Sequence, residues 1–554
     1  MNNPRSYEEA CRTFKWRIPD RYNLAFDVCD RQTMGSADGH RTALIVEGAD
    51  GEVERYTFHV LRLLANRLAN VLDALGVTPG DRVALALPAG LEAAVTLLAV
   101  TRMGAVAVPI PTALGAEPLG WRLANSGAIA AVIDPTVIPA LAEIRASLTG
   151  LGPVLSPNGG GPGIAEMWAS VEKASDSFAP LVTPAGHPAF IFYPAHASGK
   201  PPGAVLPHRA MVGGLPAVEL SMGLFPQFGD ITWTSADWMT GEALFRAVLP
   251  AWHHGVPVVA SPTVASMGGF HPGHALDIMS RHGVRAAYLP PVHLAALCEA
   301  AANRPHAMPR AIASGPDPLD EDLHERVIKV FGIHANEAWG VLETGAVAAN
   351  LAGLMELRPP SPGRTAPGLT IEATDERGKA VKAGERGILA VSPNAPGSFL
   401  GYWGDRVEGP ARRVAGWLLT GRLGCRDLDN YIWPEPLAQP DDVVMIRGLP
   451  VRLDEVEAAL DAHPLVEKSG VIALADGELR AFVVARNAAD GDLAEQLKAW
   501  ITLRRGGTEC PRRVELVDSL PLAVDGSILR DELMARPLRL DAPTSEERWR
   551  SQRK

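Results

Sequence analysis

Cysteine is scarce in this chain, and the few cysteines show no paired spacing. The five residues Cys11, Cys29, Cys298, Cys425 and Cys510 are scattered through 554 positions. Disulfide frameworks and structural zinc sites both need cysteines at short, recurring spacings. The scarcity therefore argues against both kinds of site, and it predicts reduced thiols in a protein of the cytoplasm.

Long apolar runs and an excess of positive charge are missing too. The apolar run at 104–111 is short and interrupted by proline, whereas a membrane-spanning helix needs about 20 apolar residues. Residues 1–17 are polar and lack the apolar centre of a targeting peptide. The 52 Lys and Arg residues are outnumbered by 63 Asp and Glu residues, for a net charge of −11. Nucleic-acid-binding domains are usually basic, so we expect neither a nucleic-acid nor a membrane partner.

The residues that are present predict an α/β protein with more than one domain. A chain of 554 residues is too long for one compact core. Helical patterns run from Thr57, a plausible N-cap, through Leu72 and from Leu91 to Arg102. Short apolar segments predict strands at 82–87, 105–110 and 128–134. This alternation favours helices layered on a mostly parallel sheet.

Two further predicted strands, 286–290 and 311–315, run directly into loops. In α/β sheets, ligands bind beyond the carboxyl ends of the strands. We therefore expect these loops to form walls of a pocket. The segment 151–163, which is rich in glycine and proline, is predicted to be a loop without regular structure.

A proline-dense run at 434–440 predicts a linker between two domains. A small α/β pattern follows it, with helices at 454–463 and 493–503 and strands at 470–474, 479–485 and 513–517. We therefore divide the chain into a large N-terminal domain at 1–438, a small lid at 439–540 and a polar tail at 541–554.

Several segments, in order along the chain, resemble one enzyme family. They are 7–11, 191–203, 234–238, 249–255, 399–403 and 416–421. On these segments nearly the whole chain is similar to the acyl-CoA synthetase branch of the adenylate-forming (ANL) superfamily. The resemblance implies a large multi-sheet N-terminal domain of the ANL type and a small mobile α+β C-terminal lid. It also implies a two-step reaction, in which ATP converts a carboxylate to acyl-AMP and the thiol of coenzyme A then attacks the adenylate.

The phosphate loop of this family is degenerate here. The family reads roughly Y-T-S-G-T-T-G-x-P-K-G, and its glycine amides, hydroxyls and lysine hold the ATP phosphates. The corresponding positions are Pro194, Ala195, His196, Ala197, Ser198, Gly199 and, for the lysine, Pro202. Proline has no backbone N–H to offer a phosphate. The resemblance therefore implies an adenylating fold that does not use ATP.

A second motif, aromatic-G-x-T-E in the family, is partly retained. Trp339 matches the aromatic residue that stacks on adenine, and Leu342 replaces the threonine that contacts the AMP phosphate. Glu343 matches the carboxylate that holds Mg²⁺, so it is the one possible metal contact and a role for Mg²⁺ stays open. The expected nucleotide-binding residues are Gly315, Trp339, Gly340 and Glu343.

Three further positions depart from the family pattern. Arg422 and Gln439 stand where the family has an Asp and an Arg that contact the ribose. An arginine side chain offers donors only, so it cannot accept the ribose hydrogen bonds. Ser527 replaces the lysine that stabilises charge during adenylation, and a neutral hydroxyl cannot replace that cation. No residue is therefore assigned as catalytic with certainty.

The lid retains features that a coenzyme A half-reaction needs. Arg447, Gly448 and Leu449 align with the family loop beside the pantetheine tunnel, where Gly448 would let a thin arm pass close to the backbone. Pro440 falls near the family hinge and would restrict rotation of the lid; an ordinary linker proline is the alternative interpretation.

The acyl pocket is the least readable part of the site. Trp233, Trp238 and Met239 are the candidates for its lining, and they suggest only that the acyl group is apolar. The identity of the acyl group stays open. Any partner protein and the oligomeric state also stay open, and a homo-oligomer is one possibility.

Three functions follow from the resemblance. The first is a non-adenylating ligase that takes acyl-AMP from a partner adenylating ligase and transfers the acyl group to coenzyme A, an arrangement found in natural-product biosynthesis. The second is an inactive pseudo-ligase that binds a ligand or a partner protein. The third, a complete ATP-dependent ligase, is hardest to reconcile with four altered ATP-handling motifs.

Overall fold

The computed structural model describes most of the chain. The described residues are 4–35, 38–194, 200–261, 265–266, 269–301, 308–393, 395–404, 409–436, 443–446, 449–474, 477–486, 492–522 and 528–536.

The largest sheet has nine strands in the described residues, and its central pairings are parallel. Parallel strands buried on both faces form near-continuous apolar runs, and the central strands here are buried throughout. The strands, in spatial order, are Arg364–Thr365, Ala348–Ala349, Ala335–Trp339, Ala311–Ser314, Ala286–Tyr288, Thr232–Thr234, Val258–Ala260, Thr42–Glu47 and Val53–Thr57.

A second sheet has eight strands, again mostly parallel. The expected loop at 151–163 contains one of these strands, Val154–Ser156, which pairs with Ala130–Ile133. Its three residues are buried, so tertiary packing overrides the loop-like composition around them. The strands, in spatial order, are Gly401–Tyr402, Ala204–Pro207, Pro188–Phe192, Val106–Pro109, Arg82–Ala86, Ala130–Ile133, Val154–Ser156 and Ile164–Glu166.

A third, antiparallel sheet closes the N-terminal part. It is built from Ile371–Thr374, Gly387–Val391, Arg412–Val414, Trp417–Arg426 and Ile432–Pro434. A short hairpin, Ala265–Ser266 with Gly269–Phe270, stands apart from the three sheets.

The helices cover the sheets and agree with the predicted helical patterns. Thr57 caps the Phe58–Ala74 helix by accepting a hydrogen bond from the Val60 N–H, as expected. The other α-helices up to residue 434 are Tyr7–Thr13, Leu24–Val28, Leu91–Arg102, Ala116–Ser126, Ile138–Ile144, Met167–Lys173, Ala210–Ser221, Gly241–Ala243, Leu249–His253, Pro272–Arg281, Pro291–Ala301 and Glu321–Phe331. A π-helical turn at Leu244–Val248 links two of them.

The C-terminal part is a smaller α+β unit with its own core. A hairpin, Val443–Ile446 with Leu449–Arg452, leads into it. Its three-stranded sheet consists of Val466–Ala473, Leu479–Ala485 and Arg513–Leu516. Its helices are Leu453–Asp461, Leu493–Arg505 and Arg530–Met534. The multi-sheet α/β architecture with a small C-terminal domain is the predicted fold class.

Candidate active site

The candidate site lies at the carboxyl ends of three adjacent parallel strands, where the sequence predicted it. The phenol of Tyr288, at the end of one strand, donates a hydrogen bond of 2.5 Å to the Gly315 carbonyl after the next. Gly315 has φ +131°, and a Cβ atom there would lie 2.3 Å from the Ala338 carbonyl oxygen. Only glycine fits so close an approach. The packing therefore brings Gly315 against the strand that ends at Trp339.

The Gly340–Glu343 loop is equally tight. Gly340 has φ +156°, and a Cβ atom there would lie 1.9 Å from the Gly345 carbonyl oxygen. The Thr344 hydroxyl donates to the Val341 carbonyl over 3.1 Å. The loop backbone is thus fixed by a close approach and by its own hydrogen bonds.

Trp339 is a core residue in this structure. Its side chain is 1% exposed and packs with Val347, Leu389 and Ile432. Stacking on adenine stays a prediction, because it requires a face of the indole to become accessible.

Glu343 is buried, and its carboxylate is held by a protein donor. Only 3% of the residue is exposed, and the Tyr402 hydroxyl donates to its Oε1 over 2.7 Å. Tyr402 in turn accepts from the Ala411 N–H over 3.1 Å. Burial, followed by the nearby Glu343 charge, raises the pKa of Tyr402 well above its usual range. Tyr402 therefore stays protonated and remains a donor to Glu343.

The cavity beside this loop is narrow. Its volume is about 30 Å³, little more than the space needed for one or two water molecules. Leu342 contributes to its closure, since a Cβ atom on Gly241 would lie 2.7 Å from Leu342 Cδ1. The lining residues are Leu206, Ala210, Gly214, Gly241, Glu242, Phe245, Arg246, Gly340, Val341, Leu342, Gly345, Ala346 and Gly397.

Phe245 and Arg246, on the wall of this cavity, were missed by the sequence reasoning. The ring of Phe245 meets Phe190 edge-on, with 5.4 Å between centroids. Arg246 is 6% exposed and donates to the carbonyls of Ala338, over 2.7 Å, and Gly340, over 3.3 Å. A single arginine inside the apolar run 243–252 was the available signal, because a buried charge normally has a specific partner.

The predicted acyl-pocket residues are buried in the described structure, and their role in binding an acyl group stays a prediction. Trp233 is 1% exposed and packs on the other face of the large sheet. Trp238 meets Trp252 edge-on at 6.0 Å between centroids, and Met239 packs in the same core. These side chains are absent from the lining of the described cavity. Their bulk and apolarity suit a core position and a pocket wall equally well.

Arg422 occupies the position where the family resemblance predicts a carboxylate that binds the ribose. Its Nη2 lies 3.9 Å from Oδ1 of Asp317 and 3.5 Å from the Glu435 carbonyl oxygen. Burial lowers the pKa of Arg422, and the Asp317 charge opposes that shift. The arginine thus connects the loop after Gly315 to the segment that precedes the linker.

The frame of the degenerate phosphate loop is visible on both sides of it. Tyr193 donates to Asn125 Oδ1 over 2.8 Å, and Trp121 Nε1 donates to the Pro201 carbonyl over 3.4 Å. Lys200 Nζ lies 5.4 Å from the centre of the Trp121 ring, a cation–π geometry. Pro194 and Pro202 bracket this region without an N–H to donate.

The remaining predicted positions lie outside the described residues. These are Ala195, His196, Ala197, Ser198, Gly199, Gln439, Pro440, Arg447, Gly448 and Ser527, together with the side chain of Leu449. Their roles in phosphate, ribose and coenzyme A contacts and in hinge motion stay predictions.

Burial shifts three titratable groups near the carboxyl ends of the strands. It raises the pKa of Asp237 to about 6 and lowers the pKa of His293 to about 4. The pKa of Glu337, just before the nucleotide loop, rises to about 8, also mainly through burial. Glu337 Oε1 accepts from the Leu319 N–H over 2.8 Å. Glu337 is therefore largely protonated at neutral pH, which suits a structural carboxyl.

Glu343 is the described residue that the family resemblance places beside the Mg²⁺–ATP group of such a fold; residues 195–199, 439 and 527 lie outside the described part of the chain. Glu343 offers one carboxylate, and Tyr402 already donates to it. No cluster of three or more His, Cys, Asp or Glu side chains within the described ranges could hold a metal ion. The side chain of Leu342 adds no oxygen ligand beside Glu343.

Comparison with known proteins decides the family. Residues 32–403 match the AMP-binding enzyme family, and residues 455–526 match the AMP-binding enzyme C-terminal domain. The chain belongs to the AMP-binding enzyme family. This assignment, with the similarities below, supports an enzyme of the acyl-CoA synthetase type.

Relatives with this architecture are acyl- and acetyl-coenzyme A synthetases. The chain is 27% identical to the mitochondrial acyl-coenzyme A synthetase ACSM3 of Mus musculus, over 95% of this chain and 93% of the relative. It is 26% identical to the acetyl-coenzyme A synthetase of Bacillus subtilis, over 98% and 96%.

Solved structures show the same fold. The acyl-CoA synthetase of Brucella canis superposes with a TM-score of 0.69 at 27% identity, covering 95% of this chain and 98% of that one. ATP-bound MatB from Rhodopseudomonas palustris gives 0.63 at 27% identity, covering 92% and 98%. Within the described parts of this chain, no helix is long and apolar enough to cross a bilayer.

Proposed function

We propose that this protein catalyses only the thioester-forming half-reaction, acyl-AMP + CoA → acyl-CoA + AMP. The coenzyme A sulfur attacks the acyl carbon, the bond from that carbon to the AMP phosphate oxygen breaks, and the thiol proton is released. A partner adenylating ligase supplies the acyl-AMP. ATP and Mg²⁺ are not used by this chain.

The proposal rests on one contrast at the site: the glycines that shape its backbone are retained, whereas the side chains that would contact ATP are replaced. Gly315 and Gly340 still make the close approaches that shape the pocket, while Leu342, Arg422 and Pro202 replace groups that would handle ATP. Thioester formation starts after pyrophosphate has left, so it does not need the phosphate loop. It still needs a pocket and a lid, and the loop held by Gly315 and Gly340 and the C-terminal domain are the candidates for them.

A complete ATP-dependent ligase is supported by the relatives. ACSM3 and the acetyl-coenzyme A synthetase of Bacillus subtilis are named as synthetases, and MatB was solved with ATP bound. At about 27% identity these similarities establish family and fold. The altered phosphate loop and Ser527 concern the first half-reaction, whereas Leu342, Arg422 and Gln439 count against the proposal, because acyl-AMP must still be held by its ribose and phosphate.

An inactive pseudo-ligase is favoured by the narrow cavity and by the buried Trp339. A volume of about 30 Å³ admits an acyl group only after side chains move. The Arg422–Asp317 pair, 3.9 Å apart, is a contact within the chain that a nucleotide bound beside Arg422 would have to displace.

One assay separates the three functions. Purified protein is incubated with coenzyme A and a panel of acyl-adenylates, including small, aliphatic and bulky polycyclic acyl groups. Parallel reactions contain the free acids with ATP and Mg²⁺, and acyl-CoA is measured by mass spectrometry. We expect product from acyl-AMP alone. Product from acid and ATP would contradict the proposal, and absence of product from both across the panel would favour the pseudo-ligase.

Two matched variants control for uncatalysed acyl transfer to the thiol. Leu342→Trp fills the narrow cavity, whereas Leu400→Trp places the same bulk at a residue that is 42% exposed. We expect the first to abolish product formation above background and the second to leave it unchanged. Equal rates for both variants would show that the reaction does not use this cavity.

A further inference from the structure

We propose that a cavity at the edge of the largest sheet is a second binding site, and that it takes a small organic cation with an apolar body. The cavity has a volume of about 430 Å³, compared with about 30 Å³ beside the Gly340–Glu343 loop. Small-molecule pockets usually enclose roughly 300–1,000 Å³. The two cavities share no lining residue, so this second site goes beyond the proposed function.

One side of the cavity is the hairpin at the end of the largest sheet, formed by Thr42–Glu47 and Val53–Thr57. Glu54 and Tyr56 are two residues apart on the outer strand, and Glu54 lies opposite Val46 on the inner one. Because side chains alternate between the two faces of a strand, these three side chains lie on the same face. A carboxylate and a phenol thus line the cavity beside an apolar side chain.

Helices supply the other walls of the cavity. Leu64 comes from the Phe58–Ala74 helix, and Leu91 and Glu92 begin the next helix along the chain. Trp168 comes from a third, shorter helix. The two leucines offer apolar surface to the body of a ligand, whereas the indole ring and the second carboxylate offer contacts to a charged group.

Neutral donors hold both carboxylates in place. The Tyr56 hydroxyl donates to Glu54 Oε2 over 2.7 Å, and the Trp168 indole N–H donates to Glu92 Oε1 over 3.1 Å. Within the described ranges of the chain, neither carboxylate forms an ion pair. The described side chains therefore fix the positions of the two carboxylates without neutralising their charge.

The charges of both carboxylates reach the Tyr56 ring. Burial, followed by the hydrogen bond to Glu54 and the charges of Glu54 and Glu92, raises the pKa of Tyr56 well above its usual range. Tyr56 therefore stays a neutral phenol between two negative groups. Glu92 is also in the first turn of its helix, where unpaired backbone N–H groups stabilise a negative side chain.

The chemistry of this lining selects a cation. The faces of tryptophan and tyrosine rings attract ammonium groups, and the two carboxylates attract the same charge. Both kinds of group repel an anion, and an uncharged ligand would leave the carboxylates without a counter-charge. An alkylammonium group attached to an apolar body satisfies the rings, the carboxylates and the leucines together.

The measurement is calorimetric titration of the full chain with benzyltrimethylammonium, in the absence of ATP, coenzyme A and acyl-adenylate. Benzyl alcohol, which has the same aromatic body and no charge, is the control ligand. We expect the cation to bind with a Kd at least about tenfold lower than that of benzyl alcohol. We also expect its Kd to rise with salt concentration, because added ions screen the carboxylates.

Glu54→Gln and Glu92→Gln locate the bound cation. Each substitution removes one charge and keeps an oxygen that accepts from Tyr56 or Trp168, and each should raise the Kd at least about fivefold. Glu172→Gln is the matched control, because it removes the same charge from an exposed residue of the helix that carries Trp168, outside the cavity lining. We expect its Kd to equal that of the unmodified protein.

Three results would overturn the inference: no binding of the cation to the unmodified protein, equal binding of benzyl alcohol, or one Kd shared by all three glutamine variants. The last result would place the cation elsewhere in the chain. The unfolding midpoint of each variant is measured alongside, and if one of the two cavity variants fails to fold, the other decides the question. Since no substrate of the proposed reaction is present, failure of the proposed function leaves this test intact.

Discussion

Two sets of residues in the candidate site behave differently. The residues that shape its backbone, Gly315 and Gly340, sit in positions that only glycine fits. The residues that would handle charge have changed character, with Leu342 where a hydroxyl is expected and Arg422 where a carboxylate is expected. The pocket thus keeps its outline while the polar groups for ATP are replaced.

The difference follows from what each kind of residue does for folding. A glycine at a close backbone approach is required by the packing of the loop, so any side chain there disturbs the fold itself. A polar group that faces a ligand contributes little to stability and can be exchanged when the chemistry is no longer needed. Loss of one half-reaction is therefore compatible with retention of the whole fold.

Replacing one of the two glycines that shape the loop backbone should have the largest effect on the free energy of unfolding. In Gly340→Ala the new Cβ atom would collide with the Gly345 carbonyl oxygen, at a φ of +156°. We expect the free energy of unfolding to fall by about 2–4 kcal/mol, measured by denaturant titration. Gly384→Ala has a positive φ of +83° with nothing within 4 Å, and should cost only about 1 kcal/mol. Equal losses would show that backbone strain, and not the close approach, sets the cost.

The buried carboxyl of Glu337 is a polar group that supports the backbone of the site, because it accepts a hydrogen bond from the Leu319 N–H. Its pKa is raised from 4.5 to about 8 in the folded protein, so folding favours the protonated form. The contribution of Glu337 to the free energy of unfolding is fully present below about pH 4.5 and is lost as the pH rises through about 8.

Glu337→Gln should flatten that dependence, since an amide oxygen can still accept from the Leu319 N–H. The unfolding midpoint is measured between pH 5 and pH 8.5 for the unmodified protein, for Glu337→Gln and for the exposed control Glu376→Gln. We expect the fall of the unfolding midpoint with rising pH to be smaller in Glu337→Gln than in the unmodified protein, and to be unchanged in Glu376→Gln. The same slope in all three proteins would contradict this assignment.

Much of the architecture could be predicted from periodicity and capping. The Leu91–Arg102 helix and the Leu479–Ala485 strand match their predicted bounds, because apolar spacing and flanking breakers determine them locally. The strand Val154–Ser156 was missed, since its short apolar segment is surrounded by glycine and proline and is selected by pairing with Ala130–Ile133.

The site was only partly predictable, for a different reason. Gly315 follows a strand that was predicted at 311–315, whereas the strand Ala335–Trp339 before Gly340 and Glu343 was not predicted, and the nucleotide-binding role of these residues stays a prediction. Motif spacing could not distinguish a tryptophan in the core from one in a pocket, so the pocket role of Trp233 and Trp238 stays a prediction. Nor could it reveal the two carbonyls bound by Arg246, which depend on the packing of elements about 90 residues apart in the chain.

The smallest effect is expected where the two sets of residues meet, at the Tyr402–Glu343 contact. Tyr402→Phe removes the donor to the buried carboxylate of Glu343 and the acceptor for the Ala411 N–H. We expect a loss of about 1–2 kcal/mol in the free energy of unfolding. Tyr56→Phe, which removes an exposed hydrogen bond to Glu54, is the control and should cost less than about 0.5 kcal/mol. A Tyr402→Phe protein as stable as this control would mean that the buried carboxylate of Glu343 does not depend on the phenol.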